Sequence, residues 1–127
     1  MRSVLLDTDV LIEILRQNIA IAEQVKKLYR DGKLVCFSPV TKAEVYHGVL
    51  PKEEIDTSRF FAKMTCLSID DAIGEKAGKY LKSYHKSHNL ELGDALIAAT
   101  ANLSKASLFT LNRKHYPMKD IQFHKAK

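Results

Sequence analysis

Short apolar runs alternate along this chain with stretches in which apolar residues return every three or four positions, a pattern of strands alternating with helices. Ser3-Val4-Leu5-Leu6 is closed by Asp7 and reads as a buried strand. Val10, Leu11, Ile14 and Leu15, then Ile21, Val25, Leu28 and Tyr29, keep a helical period. Asp31-Gly32 ends that helix with a residue that tolerates the left-handed turn. Lys33-Leu34-Val35-Cys36-Phe37 predicts a second strand. Ser38 then offers an N-cap and Pro39 a first helical residue, opening a helix to about Leu50, with Pro51 marking its end. The charged segment 52–64 predicts another helix, and Thr65-Cys66-Leu67-Ser68-Ile69 a third strand. Beyond Asp70-Asp71, one face of a long helix is marked by Ile73, Ala77, Tyr80, Leu81, Tyr84 and His88. An Ala-rich helix starts from Gly93. Ser107-Leu108-Phe109-Thr110-Leu111 is a fourth strand and Ile121-Gln122-Phe123 a candidate fifth.

Helices inserted between strands imply an α/β fold, a three-layer α/β/α sandwich around a central four- to five-stranded parallel sheet. No internal repeat, linker or low-complexity tract divides the 127 residues, so a single domain spanning 1–127 is expected. Sheets of this kind bind ligands beyond the carboxyl ends of their strands, where the strand order reverses. Asp7 and Asn112 follow strands at that end, the Ser38 helix begins there, and Asp94 sits in the first turn of another helix.

Composition narrows the picture. With 46% hydrophobic residues, disorder is not expected. The longest apolar run, Ala95 to Ala99, is far short of the ~20 residues of a membrane helix. No secretory segment is expected either, because Asp7 cuts the first apolar run, and a cytoplasmic location follows as the expectation. Cys36 and Cys66 match no zinc or redox spacing and are expected to be buried free thiols. A net charge of +5 suits a polyanionic partner without requiring one.

Three acids stand out because charge is costly where they sit. Asp7 at a strand end serves either as a helix cap or as a functional carboxylate; the local pattern allows both. Thr41-Lys42-Ala43-Glu44 resembles a capping box, but Ser38-Pro39 already starts that helix, placing Glu44 in its second turn on a face with Val40 and Gly48. Asp94 opens a helix that is small or apolar nearly all round, so its start should be partly buried. Asp9 reads as part of a helix start, Glu53-Glu54 as a solvated face and Asp70-Asp71 as an N-cap. Glu13 and Glu91 stay undecided between the surface and the surroundings of a site. His85 and His88, on a Lys-rich helix, are expected to be solvated.

Four segments, taken in order, resemble the PIN-domain ribonucleases, specifically the VapC-type toxins of toxin–antitoxin pairs. They are Leu5-Leu6-Asp7-Thr8-Asp9-Val10-Leu11-Ile12, Thr41-Lys42-Ala43-Glu44-Val45-Tyr46-His47-Gly48, Gly93-Asp94-Ala95-Leu96-Ile97-Ala98-Ala99-Thr100-Ala101 and Phe109-Thr110-Leu111-Asn112-Arg113-Lys114-His115-Tyr116. The resemblance implies a PIN-like sandwich and a Mg²⁺-dependent endoribonuclease, with Mn²⁺ able to substitute. It implies Asp7, Glu44 and Asp94 as metal ligands and Asn112 as the fourth position of the catalytic quartet. Asp9 stands where the family more often has Asn or Ser, adding a negative charge. By the same resemblance Thr8 and Asn112 orient water or ligands, and Arg113 and Lys114 contact substrate phosphates. The implied partners are an RNA substrate such as tRNA or rRNA, a cognate VapB-type antitoxin and a second copy in a homodimer, with inhibition of translation as the outcome.

Two other readings stay open on sequence. A PIN-like domain could bind RNA or protein without cutting. The D-x-D pattern of Asp7-Thr8-Asp9 also resembles haloacid-dehalogenase-like phosphatases, although Leu11 stands where they carry Thr or Val and no late acidic pair follows Asp94.

Overall fold

The computed structural model describes residues 2–125. Five strands, β1 (Ser3–Leu6), β2 (Leu34–Phe37), β3 (Thr65–Cys66), β4 (Ser107–Phe109) and β5 (Gln122–Phe123), form one sheet in the order β3-β2-β1-β4-β5, and every pairing is parallel. The central strand is the apolar run that opens the chain: Leu5 pairs with Cys36 on one side and Leu108 on the other. The chain winds outward through β2 and β3, then crosses back to β4 and β5. The reversal falls between β1 and β4, which opens a crevice at their carboxyl ends.

Side-chain alternation divides the core into two layers. Val4, Leu6, Val35, Phe37 and Phe109 face Val10, Leu11, Val25, Leu28, Val45 and Phe61 of α1 (Thr8–Leu15), α2 (Ile19–Arg30), α3 (Pro39–His47) and α4 (Glu54–Ala62). Leu5, Cys36 and Leu108 face α5 (Asp71–His88) and α6 (Leu92–Ser104), through residues including Ile73, Ala77, Tyr80, Ile97 and Ala98. α6 is buried over most of its length because its small residues let it lie close to both the sheet and α5. The expected α/β/α sandwich is the observed fold.

Local chemistry sets the element ends, and several differ from the sequence expectation. The first helical stretch is two helices: Gln17 adopts φ 66° and Asn18 restarts the chain as an N-cap, accepting from Ile21 N at 3.3 Å. α3 stops at His47 instead of near Leu50, capped by Gly48, and a 3-10 turn (Pro51–Glu53) precedes α4. Asp70 caps α5 as expected, accepting from Ile73 N at 3.0 Å. β3 is only two residues long, and both are exposed. Cys66 is therefore an exposed thiol, not a buried one, while Cys36 is fully buried on β2. A short edge strand has no neighbour on its outer side, so an apolar-looking run there does not become core. β4 ends at Phe109, which leaves Thr110 and Leu111 free to turn into the crevice.

Leu108 is wholly buried between β1 and β5. Leu108→Ala should lower unfolding free energy by about 3 kcal/mol, the usual scale for a buried leucine truncation. Urea unfolding should show this as a lower midpoint with an unchanged slope; a loss under about 1 kcal/mol would mean that this strand is not packed as described.

Candidate active site

Asp7 anchors the crevice. Its backbone N–H donates to Phe109 O at 2.9 Å, carrying the β1–β4 ladder one step past the strand. Its side chain caps α1, with Oδ1 accepting from Thr8 N at 2.8 Å. Oδ2 accepts from Thr110 Oγ1 at 2.8 Å and from Tyr116 Oη at 2.9 Å. Only 7% exposed, this carboxylate is a structural cap and a candidate functional group at once.

Tyr116 also reaches the second acid, its hydroxyl lying 3.4 Å from Asp94 Oδ1. Asp94 sits in the first turn of α6, half-buried as the helix composition implied. Burial raises the pKa of its carboxyl, the negative charge of Asp7 raises it further and that of Glu44 slightly, while His115 and the Tyr116 hydrogen bond pull it down. His115 Nδ1 is 3.7 Å from Asp94 Oδ2. It is the only basic side chain paired with any acid of this cluster among the described residues. Asn112 Nδ2 is 3.0 Å from His115 Nε2. An amide nitrogen only donates, so Nε2 accepts and the ring proton falls on Nδ1, facing Asp94.

Glu44 is exposed, contrary to the buried setting its i−4 and i+4 neighbours suggested. The neighbour that matters is Thr41, three residues back and fully buried. Thr8 Oγ1 is 2.9 Å from Thr41 Oγ1 and 2.6 Å from Glu44 Oε1. A hydroxyl has one proton and a carboxylate only accepts, so Thr8 donates to Glu44 and Thr41 donates to Thr8. Thr8 N also donates to Asp7, so this one residue ties two of the acids together.

Asp9 lies in the first turn of α1, yet its bonds go across the crevice. Oδ2 accepts from Leu111 N at 3.2 Å and lies 3.4 Å from Thr110 Oγ1, whose proton goes to Asp7, while Oδ1 is buried with no partner. Burial, then the charge of Asp7, pushes its pKa up to about 6.

The expected residues do not all converge. Asp7, Asp9 and Asp94 are grouped, and Glu44 joins through Thr8. Among the described residues, however, no three His, Cys, Asp or Glu side chains form a ready-made ligand set. Asn112 contacts His115 and no acid. Arg113 turns away, donating to His124 O at 3.2 Å with its guanidinium over the Phe123 ring, and Lys114 is exposed in the same turn. Glu13 is taken by Asn18 and Arg16 at the α1–α2 corner, outside the crevice. Glu91 borders a small cleft of about 130 Å³ with Asp94, His115 and His88. His85 and His88 are exposed as expected. Thr41, Thr110, His115 and Tyr116 were not singled out from sequence. Thr110 and Tyr116 are separated from Asp7 by 103 and 109 residues, and no local pattern encodes those contacts.

The acids nonetheless fit a divalent cation. The half-buried Asp9 and Asp94 carboxyls with raised pKa values, an unpartnered Asp9 oxygen and, among the described residues, no lysine or arginine pairing with them describe an undercompensated negative pocket. Hard cations prefer such oxygens.

Comparison with known proteins places the chain in a family. The PIN domain family profile matches residues 4–121. Ribonuclease VapC10 of Mycobacterium tuberculosis is 37% identical over 116 residues, covering 91% of this chain and 86% of that one. A toxin–antitoxin complex from Klebsiella pneumoniae superposes with a TM-score of 0.72 at 25% identity, covering 91% and 92% of the two chains. The crystal structure of VapBC2 from Rickettsia felis, bound to a DNA fragment from their promoter, gives 0.80 at 19% identity over 98% and 99%. On fold, match and identity, this chain belongs to the PIN domain family, among its VapC members.

Proposed function

We propose that this protein is a divalent-metal-dependent endoribonuclease, the toxin of a pair whose antitoxin is VapB-like. The observation that carries this reading is the undercompensated acid cluster of Asp7, Asp94 and Glu44 at the switch point of the sheet. The relatives' name, ribonuclease, supports RNA as the substrate class; tRNA or rRNA is the proposed target, and its loss would stop translation. Mg²⁺ or Mn²⁺ is the cation suited to these oxygens. When bound it supplies charge neutralisation at the phosphate and activation of water.

Asp7, fixed by a backbone N–H and two hydroxyls, offers an oriented carboxylate that needs little reorganisation. Asp94 brings a second carboxylate from α6. Glu44, exposed and held by one hydroxyl, is the acid free to swing into the crevice. Asn112 orients His115, whose Nδ1 proton faces the crevice and a substrate phosphate placed beside Asp94. Arg113 braces β5, which leaves Lys114 as the phosphate contact of that turn.

A groove of about 470 Å³ runs from Glu44 along α1, α3 and the start of α4, lined by Ile12, Leu15, Val45 and Val49 with Glu53 and Asp56 at its rim. Apolar side chains mixed with three acids, Glu44, Glu53 and Asp56, against one arginine, Arg16, suit an amphipathic segment carrying basic residues, and the groove's end at Glu44 lets such a segment block the site. This supports the antitoxin as its occupant, with the second toxin copy placed elsewhere.

Four outcomes test this reading. On labelled structured RNA, wild type should cleave with Mg²⁺ or Mn²⁺ and not with EDTA, whereas Asp7→Asn and Asp94→Asn should lose more than about a hundredfold in rate, beyond what loss of an outer-shell partner does. Cleavage surviving both substitutions would place the chemistry elsewhere, and RNA binding without cleavage in any metal would favour a silent domain. Asp9 has a folded-state pKa near 6 against an ordinary value of 3.8, so the folded state holds its proton more tightly and stability falls as pH rises through that window. Asp9→Asn should therefore raise the melting temperature in EDTA at pH 7.5 and give no such gain at pH 3.5; equal gains at both would contradict this. Val49→Asp should weaken antitoxin binding at least tenfold and leave RNA cleavage intact, as measured by titration with the purified antitoxin.

A further inference from the structure

A single phenol hydroxyl stands between the buried Asp7 and the half-buried Asp94. Tyr116 Oη is 2.9 Å from Asp7 Oδ2 and 3.4 Å from Asp94 Oδ1, and no other described side chain bonds to both. The ring is 3% exposed and packed in the core layer of α5 and α6, so it cannot turn aside without opening that layer. Thr110, the other hydroxyl on Asp7, reaches Asp9 but not Asp94. A phenol keeps its proton at neutral pH, and the enclosed ring fixes where that O–H points.

Two carboxylates with nothing between them repel and turn toward water; a cation entering the site would first have to gather them. The phenol's single proton goes to Asp7 at 2.9 Å, with Asp94 as the longer arm of a bifurcated contact at 3.4 Å, which removes part of that reorganisation while leaving lone pairs on both acids for an ion. We propose that Tyr116 is a positioning residue of the metal centre: its hydroxyl sets the spacing and orientation in which Asp7 and Asp94 together meet one divalent cation. The proposal rests on the cation reading above and adds to it a residue that touches neither cation nor RNA. Outer-shell partners of metal ligands typically change affinity by roughly 10–100-fold.

The test is calorimetric titration of Mn²⁺ into the purified full chain, wild type and Tyr116→Phe, with melting curves in EDTA. Phenylalanine keeps the ring and removes the bridge. Tyr116→Phe should melt cooperatively but bind Mn²⁺ at least tenfold more weakly. Its RNA cleavage should need a correspondingly higher Mn²⁺ concentration for half-maximal rate and recover toward wild type at saturation. A merely structural hydroxyl would lower the melting temperature and leave Mn²⁺ affinity unchanged, which overturns the proposal. A wild type that takes up no Mn²⁺ overturns the cation reading itself, and this role with it. If Tyr116→Phe does not fold, 3-fluorotyrosine at position 116 keeps the hydroxyl and supplies a ¹⁹F resonance. Mg²⁺ should shift that resonance with the midpoint of its binding isotherm; a resonance unmoved at saturation overturns the proposal.

Discussion

The buried carboxylate of Asp7 is the constraint around which this molecule is arranged. An anion at the end of the central strand is tolerable only if its oxygens are occupied, and three donors occupy them: Thr8 N from the next residue, and Thr110 Oγ1 and Tyr116 Oη from the far end of the chain. Each donor has a second consequence. Thr8 starts α1 and holds Glu44. Thr110 fixes the turn after β4. Tyr116 couples α6, through Asp94, to the central strand. Satisfying one charge thus aligns four elements, and the crevice is the by-product.

The same arrangement explains why the site is acidic but not self-assembled. Asp7 is buried with three donors, Asp94 half-buried and Glu44 exposed with one, so the acids are graded from most to least enclosed. A cluster with every carboxylate locked at one point would repel itself strongly in a partly dry crevice. Turning Glu44 onto the Thr8 hydroxyl relieves that repulsion in the protein alone, while leaving the acid within the same cleft. Asp9 carries the remaining strain: an extra charge beside the site with one oxygen unsatisfied.

Much of this was legible in the chain, and what was not has physical reasons. The strand order of types, the caps at Ser38 and Asp70, and the placement of Asp7 and Asp94 at helix starts depend on neighbours within four residues, and sequence reads such contacts well. The break between α1 and α2 was also signalled locally, by Asn18, but the continuous apolar period masked it. Glu44 was misjudged because its exposure depends on what covers α3, and Cys66 because burial at a sheet edge depends on what lies beyond it. Thr110 and Tyr116 look like ordinary strand and core residues. Their roles exist only once the carboxyl end of the chain has folded back against its beginning.

That closure has a bearing on synthesis. A nascent polypeptide emerging amino end first presents Asp7, Glu44 and Asp94 well before β4 and Tyr116 are available. Until then the central strand lacks its β4 neighbour and Asp7 lacks both hydroxyl partners, so the acids belong to no ordered crevice. A translation product interrupted between residues 94 and 116 carries the three carboxylates yet not the Tyr116 hydroxyl that helps to organise them.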